Sequence, residues 1–153
     1  MENIYDESIS EISTKKLYQI LRLRVDIFVV EQNCPYPELD GVDIDSGTRH
    51  IWIEKKDLPI SYLRVFSDTE GETRIGRVAT IESERTHGFA GILLDHVIKS
   101  TSGTLLLDAQ VYLENWYHEK GFVTTGKIFE EPCGENSNPG ILHVPMSYKR
   151  NLH

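Results

Sequence analysis

The sequence has few cysteines, fewer basic than acidic residues and no long apolar run, and each shortage excludes a class of protein. Only two cysteines, Cys34 and Cys133, occur among 153 residues, which is too few for a disulfide scaffold and includes no C-x-x-C pair. We therefore expect two ordinary thiols. We expect no metal site, because structural zinc needs more Cys and His at short spacing. No apolar run reaches the roughly 18 residues that span a bilayer, so we expect no membrane segment.

The shortage of basic residues bears on the choice of partner. The chain has 16 Lys and Arg against 24 Asp and Glu, a formal net charge of −8. Nucleic-acid backbones are bound through clustered Lys and Arg, so this balance argues against such a partner. The N-terminal MENIYDESIS is acidic where a secretory signal would be basic and apolar, and we expect a cytoplasmic protein. The length and ordinary composition predict one domain over residues 1–153.

Hydrophobic periodicity predicts a chain in which helices and strands alternate. Residues 13–32 begin with a polar cap and continue at helical spacing, although their apolar second half fits a helix or a strand equally well. Residues 33–47, rich in Pro and Gly, predict a long loop of the kind that is often functional. Helix-like runs lie at 89–100 and 112–120, and strand-like runs at 48–56, 59–67, 73–81, 104–111, 122–129 and 141–149. This order predicts a mixed sheet with helices packed on it.

The segment RTHGFAG, residues 85–91, joins a strand-like run to a helix-like run and predicts an anion site. Backbone N–H groups at a helix start lack intrahelical partners, and the helix dipole adds positive potential there. Gly88 and Ala90 have little bulk to keep a phosphate from the backbone. The segment has neither the Gly-Lys-Ser/Thr ending of a P-loop nor the G-x-G-x-x-G spacing of a dinucleotide fold. The residues alone leave open that its two glycines only let the helix pack close to the sheet.

Four segments together resemble one known family. RTHGFAGILL resembles the Arg/Gln-x-x-Gly-x-Gly/Ala signature of the GNAT superfamily of acyl-CoA-dependent N-acetyltransferases. ENWYHEKGF resembles the family's later Asn-x-x-Tyr-x-x-x-Gly-Phe segment, and LRLRVDIFVVEQNCPYPELDG with the GRV strand resembles its ElaA-like branch. The resemblance covers nearly the whole chain. It implies an α/β (α+β) fold, with a mixed, mostly antiparallel sheet, splayed central strands four and five, and helices on both faces.

The resemblance also implies roles for individual residues, with acetyl-CoA as the acyl donor in the gap between the splayed strands. The turn at residues 85–91 would bind the CoA pyrophosphate, mainly through backbone N–H groups. The strand before it would pair with the pantetheine amides, and an N–H near Val78 or Ala79 would stabilise the oxyanion. Tyr117 would donate a proton to the departing sulfur; its alternative role is packing beside Trp116 and Phe122. The residues expected at the cofactor are Val78, Ala79, Thr80, Arg85, Thr86, His87, Gly88, Phe89, Ala90, Gly91, Ile92 and Asn115.

The group that deprotonates the acceptor amine is not identified by the sequence. A Lys-like amine is mostly protonated at pH 7, so a base is needed. Glu31, Asp40, His50 and His143 are the candidates, and each has an ordinary structural role as its alternative. We expect direct attack by a small-molecule or protein amine, without an acyl-enzyme, because Cys34 has no evident activating partner. The alternatives are a non-catalytic acyl-CoA-binding module and a domain whose Gly-rich turn binds no ligand; a homodimer fits a chain of this size.

Overall fold

One sheet organises the protein. The computed structural model describes residues 3–134 and 139–150. Within these residues eight strands follow the spatial order β1-β2-β3-β4-β5-β8-β6, and β7 also pairs with β8. Every pair is antiparallel except β4 with β5. The strands are β1 Ile4–Glu7, β2 Arg49–Lys55, β3 Leu58–Ser67, β4 Thr73–Thr80, β5 Leu105–Gln110, β6 Val123–Thr124, β7 Phe129–Glu131 and β8 Ile141–Tyr148.

Helix α1, Thr14–Val25, covers one face of this sheet. It begins where it does because the Ser13 hydroxyl accepts the N–H of Lys16 at 3.1 Å. The helix continues into a π-helical segment, Asp26–Glu31, so the apolar stretch that the sequence left open is helical. The side chains that form this packing layer are Ile12, Ile20, Leu23 and Ile27 against Trp52, Tyr62 and Ala79.

Helices α2, Phe89–Ser100, and α3, Glu114–Glu119, cover the opposite face. Alternate residues of a strand point to opposite faces, so each inner strand contributes to both layers. On this side the main core includes Phe89, Leu93, Leu94, Val97 and Tyr117 packed against Ile51, Ile53, Leu63, Val65, Ile75, Leu107, Ala109 and Val144. The predicted mixed sheet with helices on both faces is therefore confirmed.

The gap between β4 and β5 is the feature that positions the site. The two strands pair only at Thr73 with Leu105 and at Arg74 with Leu106. Beyond these pairs, β4 stays bonded to β3 and β5 stays bonded to β8, so β4 and β5 diverge toward their C-terminal ends. The predicted splay of the fourth and fifth strands is confirmed.

A β-bulge interrupts β4 where it has lost contact with β5. Tyr62 pairs with Ala79 and Arg64 with Gly76, so two residues of β4 lie opposite one residue of β3. Arg77, within this bulge, has a φ of +54°. Bulges change the direction of strand residues and are frequent beside active sites. The edge of β4 that faces the gap is therefore a candidate part of the site.

The edges of the sheet differ from the sequence prediction. The pattern predicts neither β1 nor β7, which are short and carry charged residues. It also predicts a strand over 122–129, of which only Val123–Thr124 is β6. A Cβ on Gly126 would lie 2.8 Å from Cγ of Pro145, so the chain there runs too close to β8 for an ordinary strand.

The expectation of two ordinary thiols is wrong. Cys34 and Cys133 form a disulfide, with a Cα–Cα distance of 4.6 Å and a sequence separation of 99 residues. Each half-cystine is 3% exposed. The bond ties the start of the loop at 33–47 to the segment after β7, across the splayed region. In the described part of the chain, no helix is long and apolar enough to cross a membrane.

Candidate functional site

A cleft of about 1020 Å³ occupies the gap between β4 and β5. Its walls come from both strands, the start of α2, one side of α3, part of residues 27–37 and the start of β8. His87, Ile92 and Asn115 do not line it. The cleft does bring together most of the predicted site residues, namely Val78, Ala79, Thr80, Arg85, Thr86, Gly88, Phe89, Ala90, Gly91 and Tyr117.

The start of α2 presents a row of backbone donors to this cleft. Among the described residues, no acceptor binds the N–H groups of residues 86–91. Gly88, the N-cap, has a φ of +80° and no side-chain cap, and the first turn of α2 carries no acidic residue. Thr86 has a φ of +71°, a conformation uncommon outside glycine that often occurs at functional sites. These free donors and the helix dipole make this end of the cleft suited to an anion.

Arg85 braces the turn instead of extending a free cation into the cleft. Its N–H donates to the Glu82 carbonyl at 3.3 Å and its Nε donates to the Thr80 carbonyl at 2.9 Å. Its Nη2 contacts both carboxylate oxygens of Glu31, at 2.9 and 2.8 Å. The hydrogen bond to Glu31 raises the pKa of Arg85 above its usual value. Glu31 is therefore held in an ion pair, which weakens its candidacy as a base.

Lys120 is a cleft residue that the sequence analysis missed. A Cβ built on Gly91 would lie 2.9 Å from the Lys120 ammonium, so this cation stands beside the first turn of α2. The ammonium also lies 5.7 Å from the centre of the Trp116 ring. Lys120 has no ion-pair partner in the part of the chain that the structure describes. A cation at a helix N-terminus opposes the dipole, so an anion bound between them would relieve an unfavourable interaction.

Tyr117 combines a packed ring with a hydroxyl that is not engaged. The ring is 4% exposed and lies edge-on to Trp116 and Phe122, with centroid distances of 4.8 and 5.8 Å. Its hydroxyl makes no hydrogen bond within residues 3–134 and 139–150, yet the residue lines the cleft. Burial, with a smaller contribution from Tyr112, raises the pKa of Tyr117. The phenol therefore keeps its proton and can donate a hydrogen bond into the cleft.

The loop at 33–47 forms a firm wall of the cleft because buried ion pairs hold it. Arg24, fully buried on α1, contacts Glu38 at 2.7 Å and Asp43 at 2.5 Å. Arg64, on β3, contacts Asp43 at 3.0 Å. Arg77, from the bulge, contacts Glu38 at 2.5 Å, so the wall is linked directly to β4. Removing one partner of such a buried pair would leave an unpaired charge, which is strongly destabilising.

Two of the candidate bases belong to this network or lie beneath it. Asp40 accepts hydrogen bonds from Arg64 at 2.5 and 3.0 Å. Burial opposes its ionisation, but the Arg64 hydrogen bonds and charge outweigh it and lower the pKa of Asp40 to about 2. His50 is completely buried, and burial lowers its pKa. The Tyr62 hydroxyl lies 2.7 Å from Nδ1 of His50, and Nε2 donates to the Asp43 carbonyl at 3.0 Å. Neither side chain is free to take a proton from a ligand.

Comparisons with known proteins agree with this architecture. The sequence profile described as "Acetyltransferase (GNAT) domain" matches residues 31–150. Protein ElaA of Escherichia coli is 35% identical over 145 residues, covering 90% of each chain. A UPF0039 protein of Mycobacterium tuberculosis is 39% identical over 141 residues, covering 89% of this chain and 86% of that protein.

Solved structures give the same picture. The crystal structure of E. coli ElaA superposes with a TM-score of 0.86 at 31% identity, covering 97% of this chain and all of that one. An acyl-CoA N-acyltransferase from Pseudomonas aeruginosa superposes with a TM-score of 0.85 at 29% identity, covering 97% and 99%. The similarity thus extends over the splayed strands, the cleft and both helical layers.

Proposed function

The chain belongs to the GNAT acetyltransferase family, and from this premise we propose that it transfers an acetyl group from acetyl-CoA to a primary amine by direct attack. The observation that carries the proposal is the cleft between β4 and β5, one end of which holds the free N–H groups at the start of α2. A CoA thioester has matching parts: a diphosphate for those donors and an extended amide arm for the unpaired edge of β4.

The proposed binding mode follows from these two matches. The diphosphate lies against the N–H groups of residues 86–91, and the Lys120 ammonium adds a charge-assisted contact. The pantetheine arm runs along β4 beside Val78, Ala79 and Thr80, at and beyond the bulge. Arg85 supports this turn through Glu31 and Thr80. His87, Ile92 and Asn115 do not line the cleft and remain predicted contacts of the cofactor: His87 through its backbone N–H, Ile92 at the rim of the turn, and Asn115 near the pantetheine arm or the diphosphate.

The proposed chemistry needs few side chains. The amine nitrogen forms a bond to the thioester carbonyl carbon, the C–S bond breaks, and sulfur leaves with the electron pair as a thiolate. A backbone N–H at the β4 bulge stabilises the oxyanion that forms on the way. The Tyr117 hydroxyl donates a hydrogen bond to the thiolate. Its raised pKa makes full proton transfer unfavourable, so its contribution is that of a donor to developing charge.

The first rival function is a module that binds acyl-CoA without transferring the acyl group, since fold alone does not prove turnover. The test measures CoA thiol release from acetyl-CoA with a panel of amines: ethylamine, putrescine, lysine and phenethylamine. Acceptor-dependent release supports the transferase; binding with no such release supports the module.

The second rival is a domain that binds no CoA at all, and it is tested by thermal unfolding with acetyl-CoA. At about 100 times Kd, a ligand that binds only the folded state adds about 2.7 kcal/mol. An unchanged unfolding midpoint would contradict the proposed site.

A cytoplasmic location is also part of the proposal. A cytoplasmic site would suit an enzyme that draws on CoA thioesters, but disulfides persist mainly in oxidising environments. The Cys34–Cys133 bond is therefore a feature that the cytoplasmic assignment must accommodate.

A further inference from the structure

The amine side of the cleft lacks an assigned base, and three of the four candidates are already engaged. Glu31 is paired with Arg85, Asp40 with Arg64, and both nitrogens of His50 have partners. His143, on β8, is the fourth. Among the histidines that the structure describes, it alone lines the cleft.

The hydrogen bond of His143 determines which of its nitrogens can accept a proton. Nδ1 lies 2.9 Å from the carbonyl oxygen of Ile141. A carbonyl oxygen only accepts, so Nδ1 must carry the hydrogen, and in the neutral ring the Nε2 lone pair is free. No described residue forms a hydrogen bond or an ion pair with Nε2. The ring is also held by stacking on Phe129, with a centroid distance of 5.9 Å and an interplanar angle of 24°.

The strand register places His143 on the correct face of the sheet for this role. Val144 and Ala109 pack in the core beneath α2 and α3, so their neighbours His143 and Gln110 face the opposite, α1 side. His143 lies directly across from Gln110, the last residue of β5, where the gap from β4 is open. Tyr117 belongs to the α2 and α3 side. The two side chains thus approach the gap from opposite faces, as direct attack requires of a base near the amine and a donor near the sulfur.

The charged groups around His143 are few. The strands on either side carry Glu130 and Glu131 on β7 and Asp108 on β5. None of these three forms an ion pair with the imidazole in the described part of the chain. Glu130 accepts the N–H of Gly140 at 3.2 Å, and Asp108 contacts Arg74 at 3.6 Å.

We propose that His143 is the general base of the reaction, an inference that rests on the proposed acetyl transfer. Nε2 takes a proton from the bound alkylammonium, and the nitrogen lone pair that this frees forms the bond to the thioester carbon. The C–S bond breaks, and the sulfur leaves with the electron pair. The nitrogen loses its second surplus proton to solvent, the thiolate takes one from solvent, and the imidazolium returns its proton to solvent, so acetyl-CoA and the alkylammonium give amide, CoA thiol and one proton. The acceptor amine reaches the gap from the α1 face, between the loop at 33–47 and the start of β8.

The test compares two matched variants of the full chain. In His143→Asn the side-chain amide can still donate to the Ile141 carbonyl, but no basic nitrogen replaces Nε2. His118→Asn is the control, because Nδ1 of His118 also donates to a backbone carbonyl, that of Phe122 at 3.0 Å, yet His118 lies outside the cleft. Acetyl-CoA affinity and the unfolding midpoint are measured on both. They should stay within about twofold and about 2 °C of the wild type, because the CoA site is elsewhere.

The kinetic readout separates a base from a packing residue. With ethylamine, which is protonated at neutral pH, H143N should lower kcat/KM by about 10²–10⁴-fold, and the acid limb of the wild-type pH profile should disappear. With trifluoroethylamine, whose nitrogen is already unprotonated, the loss should shrink at least tenfold. Equal losses for the two amines, or wild-type kinetics in H143N, would overturn the assignment.

Two further outcomes are decisive. Histidine ¹⁵N spectra of the wild type should show the Nδ1–H tautomer for His143; an Nε2–H tautomer would contradict the proposal. A wild-type protein that binds acetyl-CoA but acetylates no amine would instead overturn the proposed function, and the role of His143 with it.

Discussion

Breaking the Cys34–Cys133 disulfide should lower the free energy of unfolding by several kcal/mol. The bond closes a loop of 99 residues, and in the chain-entropy account a loop of about 100 residues is worth about 4.7 kcal/mol at 25 °C. Both half-cystines are 3% exposed, so serine at either position also buries a hydroxyl. For a chain of this length each kcal/mol shifts the unfolding midpoint by about 2–4 °C, so a loss of about 4.7 kcal/mol predicts a fall of about 9–19 °C.

The assay is urea and thermal unfolding of the wild type, C34S, C133S and the double variant. Either single substitution breaks the same bond, so each should lower the free energy of unfolding about as much as the double variant does. The coupling energy between the two substitutions should then nearly equal the loss in the double variant. The wild type treated with a dithiol reductant should lose most of the stability that the double variant loses, without the added cost of the buried serine hydroxyls. The urea m-value should rise, because the unfolded chain expands once the cross-link is gone. Additive single effects, or a double variant as stable as the wild type, would refute the reasoning.

The remaining predictions concern the cleft and its wall. K120A should weaken acetyl-CoA binding about 5–50-fold by calorimetry, because a charge-assisted contact to phosphate is lost; K99A, on the last turn of α2, should leave affinity unchanged. Y117F should lower kcat about 10–100-fold with little change in acetyl-CoA affinity, and equal turnover would remove Tyr117 from the mechanism. Asp40 has a folded pKa of about 2, below its model-peptide value, so it stabilises the fold at neutral pH and that contribution is lost as pH falls from about 5 toward 2. The free energy of unfolding should decline over that window, and D40N should flatten the decline; an equal slope in D40N would contradict the role of the Arg64 pair.

Local sequence patterns were enough to predict part of the fold. The helix predicted at 89–100 is α2, and the strand-like runs at 48–56 and 59–67 are β2 and β3, because helical and strand periodicities repeat within a few residues. The free N–H groups before α2 were also predictable, since any helix leaves its first donors without partners. The short charged edge strands β1 and β7 gave too weak a pattern to detect.

Long-range proximity decided the rest of the candidate site. No spacing rule pairs Cys34 with Cys133, and nothing near Lys120 in the chain indicates that its ammonium lies beside Gly91. The sequence identified four candidate bases for the acceptor amine and did not distinguish among them. Only tertiary contacts separate them, by burying His50, pairing Glu31 and Asp40, and leaving Nε2 of His143 free in the cleft. Sequence periodicity reports how each segment meets the core, whereas charge pairing and cross-linking depend on which distant segments the sheet brings together.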